Sequence, residues 1–354
     1  MSDLFQSYLF SLIFWVSLSL GCFGLMLLHH TIRGKWGLPI LRFLEAGSMT
    51  LVLMGVLFLV VFAGLPYLYP WARPDEVAKD PILQHRAGYY QLWFFAARFA
   101  LYFAVWILIS WLLIKWTGLQ EKTGDSRYAQ KRTNLSAPAI IAYAVTVTFA
   151  STDWVMSLDA HWSSTMFGFL YMASQALTAM AFAIFLLTWR ASQKPYSEVV
   201  NPALTRDLGN ILLAFTLLWA YLSFSQYLII WSANLPELIP YYIKRNKGGW
   251  NWLPTAMLFG QFFVPFLLLL IPSVKAKTRN LMMIAGWILV WRIVDIFWQI
   301  IPVLRPDGFS IRATDPIVFL AIGALWMGFF FWQLKQRSPL PTHDPRLQEA
   351  LDHA

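Results

Sequence analysis

Nine long apolar runs occupy most of this chain and leave little sequence from which a soluble fold might be built. A transmembrane helix needs about 20 predominantly apolar residues. Such runs lie at 6–29, 46–66, 91–115, 136–156, 163–188, 208–232, 252–273, 280–302 and 315–334. They are continuous rather than alternating, so they read as helices that satisfy their own backbone polar groups, not as barrel strands. The predicted fold class is all-α, a polytopic integral membrane helical bundle of about nine transmembrane helices. It forms a single transmembrane domain over 1–335, followed by a C-terminal tail over 336–354. With 58% hydrophobic and 13% charged residues, the chain lacks the polar surface of a soluble domain. The first run reads as a retained helix rather than a signal peptide. Met1 to Ser7 carry no Lys or Arg, and no small-residue cleavage site follows.

Drawing the spans sorts the cations. Seventeen of the 27 Lys and Arg residues fall on the side that includes Arg33, Lys122, Arg190, Lys275 and Lys335; eight fall on the other; Arg98 and Arg292 lie inside spans. Basic residues concentrate in cytoplasmic loops. The N-terminus is therefore expected outside and the C-terminal tail in the cytoplasm. The formal charge of +9 is spread over loops that face anionic lipid headgroups, which argues against nucleic-acid binding. Trp and Tyr gather at span ends, as in Tyr67, Trp71, Trp111, Trp162 and Trp250, where an interfacial aromatic belt belongs.

One cysteine, Cys22, sits inside the first apolar run. A lone thiol builds no iron–sulfur cluster, c-type haem attachment or disulfide within the chain. No Gly-rich phosphate loop or dinucleotide fingerprint appears. A membrane haem b needs histidines at matching depth. His29 and His30 end the first span, whereas His161 opens the fifth about 30 Å away on the other side, and His343 and His353 lie in the tail. The expectation is a chain with no redox cofactor or metal of its own.

Ionisable residues within spans are expensive, and this makes them the functional candidates. Arg292 and Asp295 share a helix face at three-residue spacing, and Arg98 is expected at similar depth. These three read either as an internal salt-bridge cluster or as part of a polar wire for protons. Asp153, Asp159 and His161 gather in the short turn between the fourth and fifth spans. There, Ser163, Ser164, Thr165 or Asp159 is a candidate cap for the fifth helix. The alternative is a shallow site where His161, whose side chain type titrates near neutrality, accepts a quinol proton. On the opposite side, His29, His30 and Glu45 surround a loop with Arg33, Lys35 and Arg42. This group reads as a solvated helix hairpin or as a proton entry.

The stretch STDWVMSLDAHWSSTMFGF, with LGCFGLMLLHH, KWGLPILRFLEA, YPWARP, DPILQH, LYFAVWILISWLL and QYLIIWSANLPE, resembles the ActF membrane subunits of alternative complex III. The resemblance runs from about Phe5 to the ninth span. It implies an NrfD/PsrC-like helical bundle within a bacterial quinol:electron acceptor oxidoreductase. It further implies an NrfD/PsrC-like quinol-binding partner subunit, with haem c and iron–sulfur clusters carried by a multihaem cytochrome c and an iron–sulfur subunit. The subunit itself is expected to be structural or proton-conducting. Two alternatives stand beside this reading: a direct quinol-binding subunit, and a stand-alone secondary transporter or proton channel. The Pro265 kink suits the last, but no internal repeat supports it. The family generally carries one more N-terminal span, so nine helices rather than ten are expected here. The Asp153, Asp159, His161 group and the His29, His30, Glu45 group match family motif positions, whereas Arg98, Arg292 and Asp295 rest on burial cost.

Overall fold

The computed structural model describes residues 1–236 and 239–341; the rest of the tail, with His343 and His353, lies outside the described residues. Among the described residues there is no strand. Nine helices among the described residues are long and apolar enough to cross a membrane. They are α1 (Ser2–Ile32), α2 (Lys35–Leu68), α3 (Leu92–Thr123), α4 (Arg127–Leu158), α5 (Phe167–Trp189), α6 (Pro202–Ala233), α7 (Trp252–Leu270), α8 (Thr278–Leu304) and α9 (Thr314–Lys335). Each predicted span is one of these helices. Several run past their apolar stretch until a specific stop: Gly124, at φ +69°, ends α3 by donating its N–H to the Gln120 carbonyl. Asn201 opens α6 by accepting the Leu204 N–H at 2.8 Å, just before Pro202.

Two helices form the interior. In α1 and α5, 83% of the most apolar window is buried, against 28–39% in the other seven. Helix α1 packs on α2, α4, α5, α8 and α9, and α5 also meets α4, α6 and α8. A helix that is apolar all round belongs inside a bundle. In lipid, however, the apolar surface gains little by leaving its solvent, so close van der Waals packing and polar contacts must hold the helices together. Gly21 shows how close the packing is: a Cβ there would lie 2.1 Å from the Gln175 carbonyl oxygen of α5.

Helix α7 is irregular where the sequence predicted a proline kink. Its segment Leu258–Phe263 is π-helical, and Pro265 follows as regular helix resumes. A π segment rotates the side chains after it and exposes a carbonyl. The Gly260 carbonyl accepts the Trp287 indole N–H at 2.6 Å. A Cβ at Gly260 would lie 2.0 Å from the Trp291 ring, so the close approach of α7 and α8 requires glycine.

The connections fall on two faces. The N-terminal face, which holds Met1, carries 69–91 with the short helices Pro74–Val77 and Pro81–Arg86, the 159–166 turn, the helix Pro240–Arg245, and 305–313. The C-terminal face carries 33–34, 124–126, 190–201, 271–277 and the segment after α9.

Candidate functional site

Arg98 of α3 and Asp153 of α4 form a bidentate pair at 2.8 and 2.9 Å, and the Tyr102 hydroxyl donates to the same carboxylate at 2.9 Å. Both side chains are buried, at 8% and 1% exposure. The guanidinium also donates to the Tyr89 carbonyl at 2.9 Å and lies 3.8 Å from the Tyr89 ring centroid and 4.5 Å from that of Phe94. This corrects two expectations. Arg98 joins Asp153 rather than Arg292 and Asp295, and Asp153 is consumed by that pair rather than shared with Asp159 and His161.

Arg292 and Asp295 pair directly on α8, as their spacing predicted. The sequence did not reveal the supporting shell. Thr178 of α5 accepts from Arg292 Nε at 3.1 Å, and Gln299 donates to Asp295 Oδ1 at 3.0 Å. Gln261, turned so that both amide atoms are satisfied, accepts from Arg292 Nη1 at 2.8 Å and donates to the Trp291 carbonyl at 3.1 Å. Gln261 is fully buried and lies in the π segment. The helical irregularity thus delivers the amide to the arginine, a use to which π segments are often put.

The 159–166 turn splits its polar residues among separate partners. Asp159 pairs with Lys244 at 2.7 Å, and its Oδ1 accepts the His161 N–H at 3.3 Å. His161 Nε2 meets Asp80 Oδ2 at 2.8 Å, and Arg86 donates to the Ala160 carbonyl at 2.9 Å, so the 69–91 loop is clamped onto the turn. Burial raises the Asp80 carboxyl, but the backbone N–H of Ile82 and the imidazole of His161 outweigh it and hold the group below its ordinary value. Helix α5 begins only at Phe167, with no side-chain cap, so none of Ser163, Ser164, Thr165 and Asp159 takes the capping role. Asp80, Asp159, His161 and Lys244 instead line an open pocket of about 570 Å³ on the N-terminal face. A second cleft, of about 470 Å³, opens between α4, α5 and α6 with Thr148, Thr152, Ser164, Met166 and Gln226 in its wall.

Arg245, one of the eight basic residues of the N-terminal side, is buried between the Pro240–Arg245 helix and α8. It is 2% exposed and donates to the carbonyls of Tyr241 at 3.0 Å, Gln299 at 2.6 Å and Trp298 at 3.3 Å. Burial lowers its affinity for its proton, an effect that Tyr241 and Asp159 oppose. Burial raises the Tyr241 phenol; Arg245 opposes that shift, and Asp295 and Asp159 both add to it. Tyr241 therefore stands in the field of both carboxylates.

On the C-terminal face the expectation of a solvated hairpin fails. His29 and His30 are 0% and 4% exposed, and Arg42 and Glu45 are 2% exposed each. Glu45 pairs with Arg42 at 2.6 Å and Arg337 at 3.4 Å, while Arg42 also pairs with Glu121. His29 packs edge-on against Trp36 and so close to Gly37 that a Cβ there would meet its Nδ1 at 2.2 Å. A further centre went unread. Arg305 grips Asp315 at 2.7 and 2.8 Å, and the Ser7 hydroxyl and Arg312 N–H complete that carboxylate at 2.6 and 2.8 Å. The signal was an aspartate one residue into α9, which the span count treated as an edge.

Among the described residues, no group of three or more His, Cys, Asp and Glu side chains is arranged to hold a metal ion. Neither the protein-family models nor the curated proteins compared with this chain include a match.

Proposed function

We propose that this chain is an integral membrane subunit of an alternative complex III-type quinol:electron acceptor oxidoreductase in a bacterial inner membrane. It scaffolds its partners and conducts protons, and it holds no redox cofactor itself. Those partners are an NrfD/PsrC-like quinol-binding subunit and subunits carrying haem c and iron–sulfur clusters. The long resemblance of the quoted stretches supports the assembly. The proton role is supported by buried polar groups below the N-terminal face: the Gln299 side chain bonds Asp295, its carbonyl accepts from Arg245, and the neighbouring Lys244 pairs with Asp159 in the pocket of His161 and Asp80.

With the basic side in the cytoplasm, that pocket opens outward and these groups form an exit half-path. Asp295 is the group on it that takes up and yields a proton. Arg292 stabilises the ionised form, and Gln261 and Thr178 hold the guanidinium when Asp295 is neutral. Arg245 sets a fixed positive charge across that half-path, and such a charge is a barrier to proton leak.

A second reading, direct quinol binding by this chain, is favoured by the cleft of Thr148, Thr152, Ser164 and Gln226. Hydroxyls and a buried amide meet apolar walls there, as an aromatic diol would require. Mild-detergent extraction of the tagged chain, subunit identification and a haem and iron spectrum test the assembly. Copurifying multihaem and iron–sulfur subunits support it; a colourless chain without partners overturns it in favour of a transporter or channel. In the assembled complex, Asp295→Asn is expected to keep quinol turnover and lose proton release. Gln226→Leu loses turnover only if the chain binds quinol itself.

A further inference from the structure

The broken end of α7 creates a site of different chemistry. Regular helix stops at Leu270, and the chain turns through Pro272–Lys275 before α8 begins at Thr278. The early stop leaves a cleft of about 410 Å³, walled by Pro265 and Leu268 of α7, Val274 of the turn, and Met283 and Trp287 of α8, with Asn280 its one polar liner. That volume is typical of small-molecule sites, about 300–1,000 Å³. Leu268, Met283 and Trp287 are each more than a third exposed, so the cleft opens sideways into the surrounding hydrocarbon rather than toward water.

Cations flank two of its lining residues, Val274 and Asn280, in the chain on the C-terminal face. Lys275, Lys277 and Arg279 lie within five residues of one another, and Arg206 stands on the adjoining α6. The segments 202–210 and 272–280 hold a single carboxylate, Asp207, and it ion-pairs with none of these cations among the described residues. Lys275 is 7% exposed, yet its ammonium is met by the amide oxygen of Asn210 rather than by an acid. Basic residues clustered at the edge of a bilayer attract anionic headgroups.

We propose that this cleft binds one anionic glycerophospholipid, with its phosphate at Lys275, Lys277 and Arg279 and one acyl chain along Pro265, Leu268, Met283 and Trp287. The uncompensated charge selects an anionic headgroup, and the sideways-facing apolar wall selects a chain-bearing lipid over a free anion. Each basic residue near an anionic headgroup contributes roughly fivefold in affinity.

The test is native mass spectrometry of the full-length protein, extracted in mild detergent with whatever subunits accompany it. It is titrated with dioleoyl phosphatidylglycerol, dioleoyl phosphatidylcholine or inorganic phosphate. Wild type is expected to retain one phosphatidylglycerol in preference to phosphatidylcholine and to bind no free phosphate. Lys277 and Arg279 are exposed, so the double variant K277Q/R279Q should fold normally and weaken phosphatidylglycerol roughly 25-fold. Leu268→Trp, which fills the cleft, should abolish retention of the lipid with the cations intact. Equal retention of the two lipids, unchanged binding by K277Q/R279Q, capture of inorganic phosphate, or an isoprenoid as the copurifying occupant would each overturn the proposal.

Discussion

Breaking the Arg98–Asp153 pair from either side strands a buried charge that removing the pair whole does not, so the two single losses should not add. In wild type the carboxylate receives two guanidinium bonds and the Tyr102 hydroxyl, and the guanidinium keeps the Tyr89 carbonyl and two aromatic faces. Arg98→Met strands a carboxylate that is 1% exposed with one donor; Asp153→Leu strands an arginine that is 8% exposed. Each single change leaves a buried charge and should destabilise the fold by about 3–5 kcal/mol. The double variant R98M/D153L buries no charge. It loses the stacking on Tyr89 and Phe94, worth up to about 2 kcal/mol when desolvated, and leaves the Tyr102 hydroxyl unbonded, at about 1–3 kcal/mol. Its total loss, at most about 5 kcal/mol, should fall below the sum of the singles, about 6–10 kcal/mol, by at least about 1 kcal/mol, a shift of at least about fivefold in the unfolding equilibrium. The assay is a double-mutant cycle by equilibrium unfolding in bicelles. Single variants that each lose under about 1 kcal/mol, with an additive double, would refute the reasoning and leave the pair without a structural role.

Arg245→Met, which removes the fixed charge of the proposed half-path, should raise passive proton leak in proteoliposomes by about tenfold or more, read with a pH-sensitive dye. An unchanged leak would remove Arg245 from the path. Gly260→Ala forces a methyl into Trp291 and should destabilise by about 1–3 kcal/mol, with a change in tryptophan fluorescence as α7 and α8 separate. Asp80 has its carboxyl depressed in the folded state, so its contribution to docking the 69–91 loop is present above the ordinary carboxylate value of about 3.9 and lost as pH falls through the lower folded value. Limited proteolysis of that loop should therefore rise as pH falls below about 4, and Asp80→Asn should abolish that rise.

Local spacing was legible in the sequence, and tertiary pairing was not. Apolar length alone located all nine spans, and the three-residue interval predicted Arg292 with Asp295. Arg98 and Asp153 lie 55 residues apart, and nothing in a linear reading connects them. Depth estimates misled instead, because equal depth does not mean the same face of the bundle. The Asp153–His161 turn looked like one constellation since its polar residues are close in sequence. Its partners Arg98, Lys244 and Asp80 come from three other segments and draw it apart. Gln261 escaped notice because a π segment changes which residues face a neighbour, and the period used to read a helix assumes no such slip.

The central position of α1 has a consequence for the order in which the protein is made. Helix α1 packs against α9, which begins some 310 residues later. At about 5–20 residues per second, synthesis of the intervening chain takes roughly 15–60 s. Through that interval α1 stands in lipid without its last neighbour, and Ser7 waits for Asp315 while Ser19 waits for the Trp326 indole. An apolar helix tolerates the wait. The packing around α1 closes only when α9 arrives, so a ribosome stalled before α9 holds α1 with one side still open to lipid.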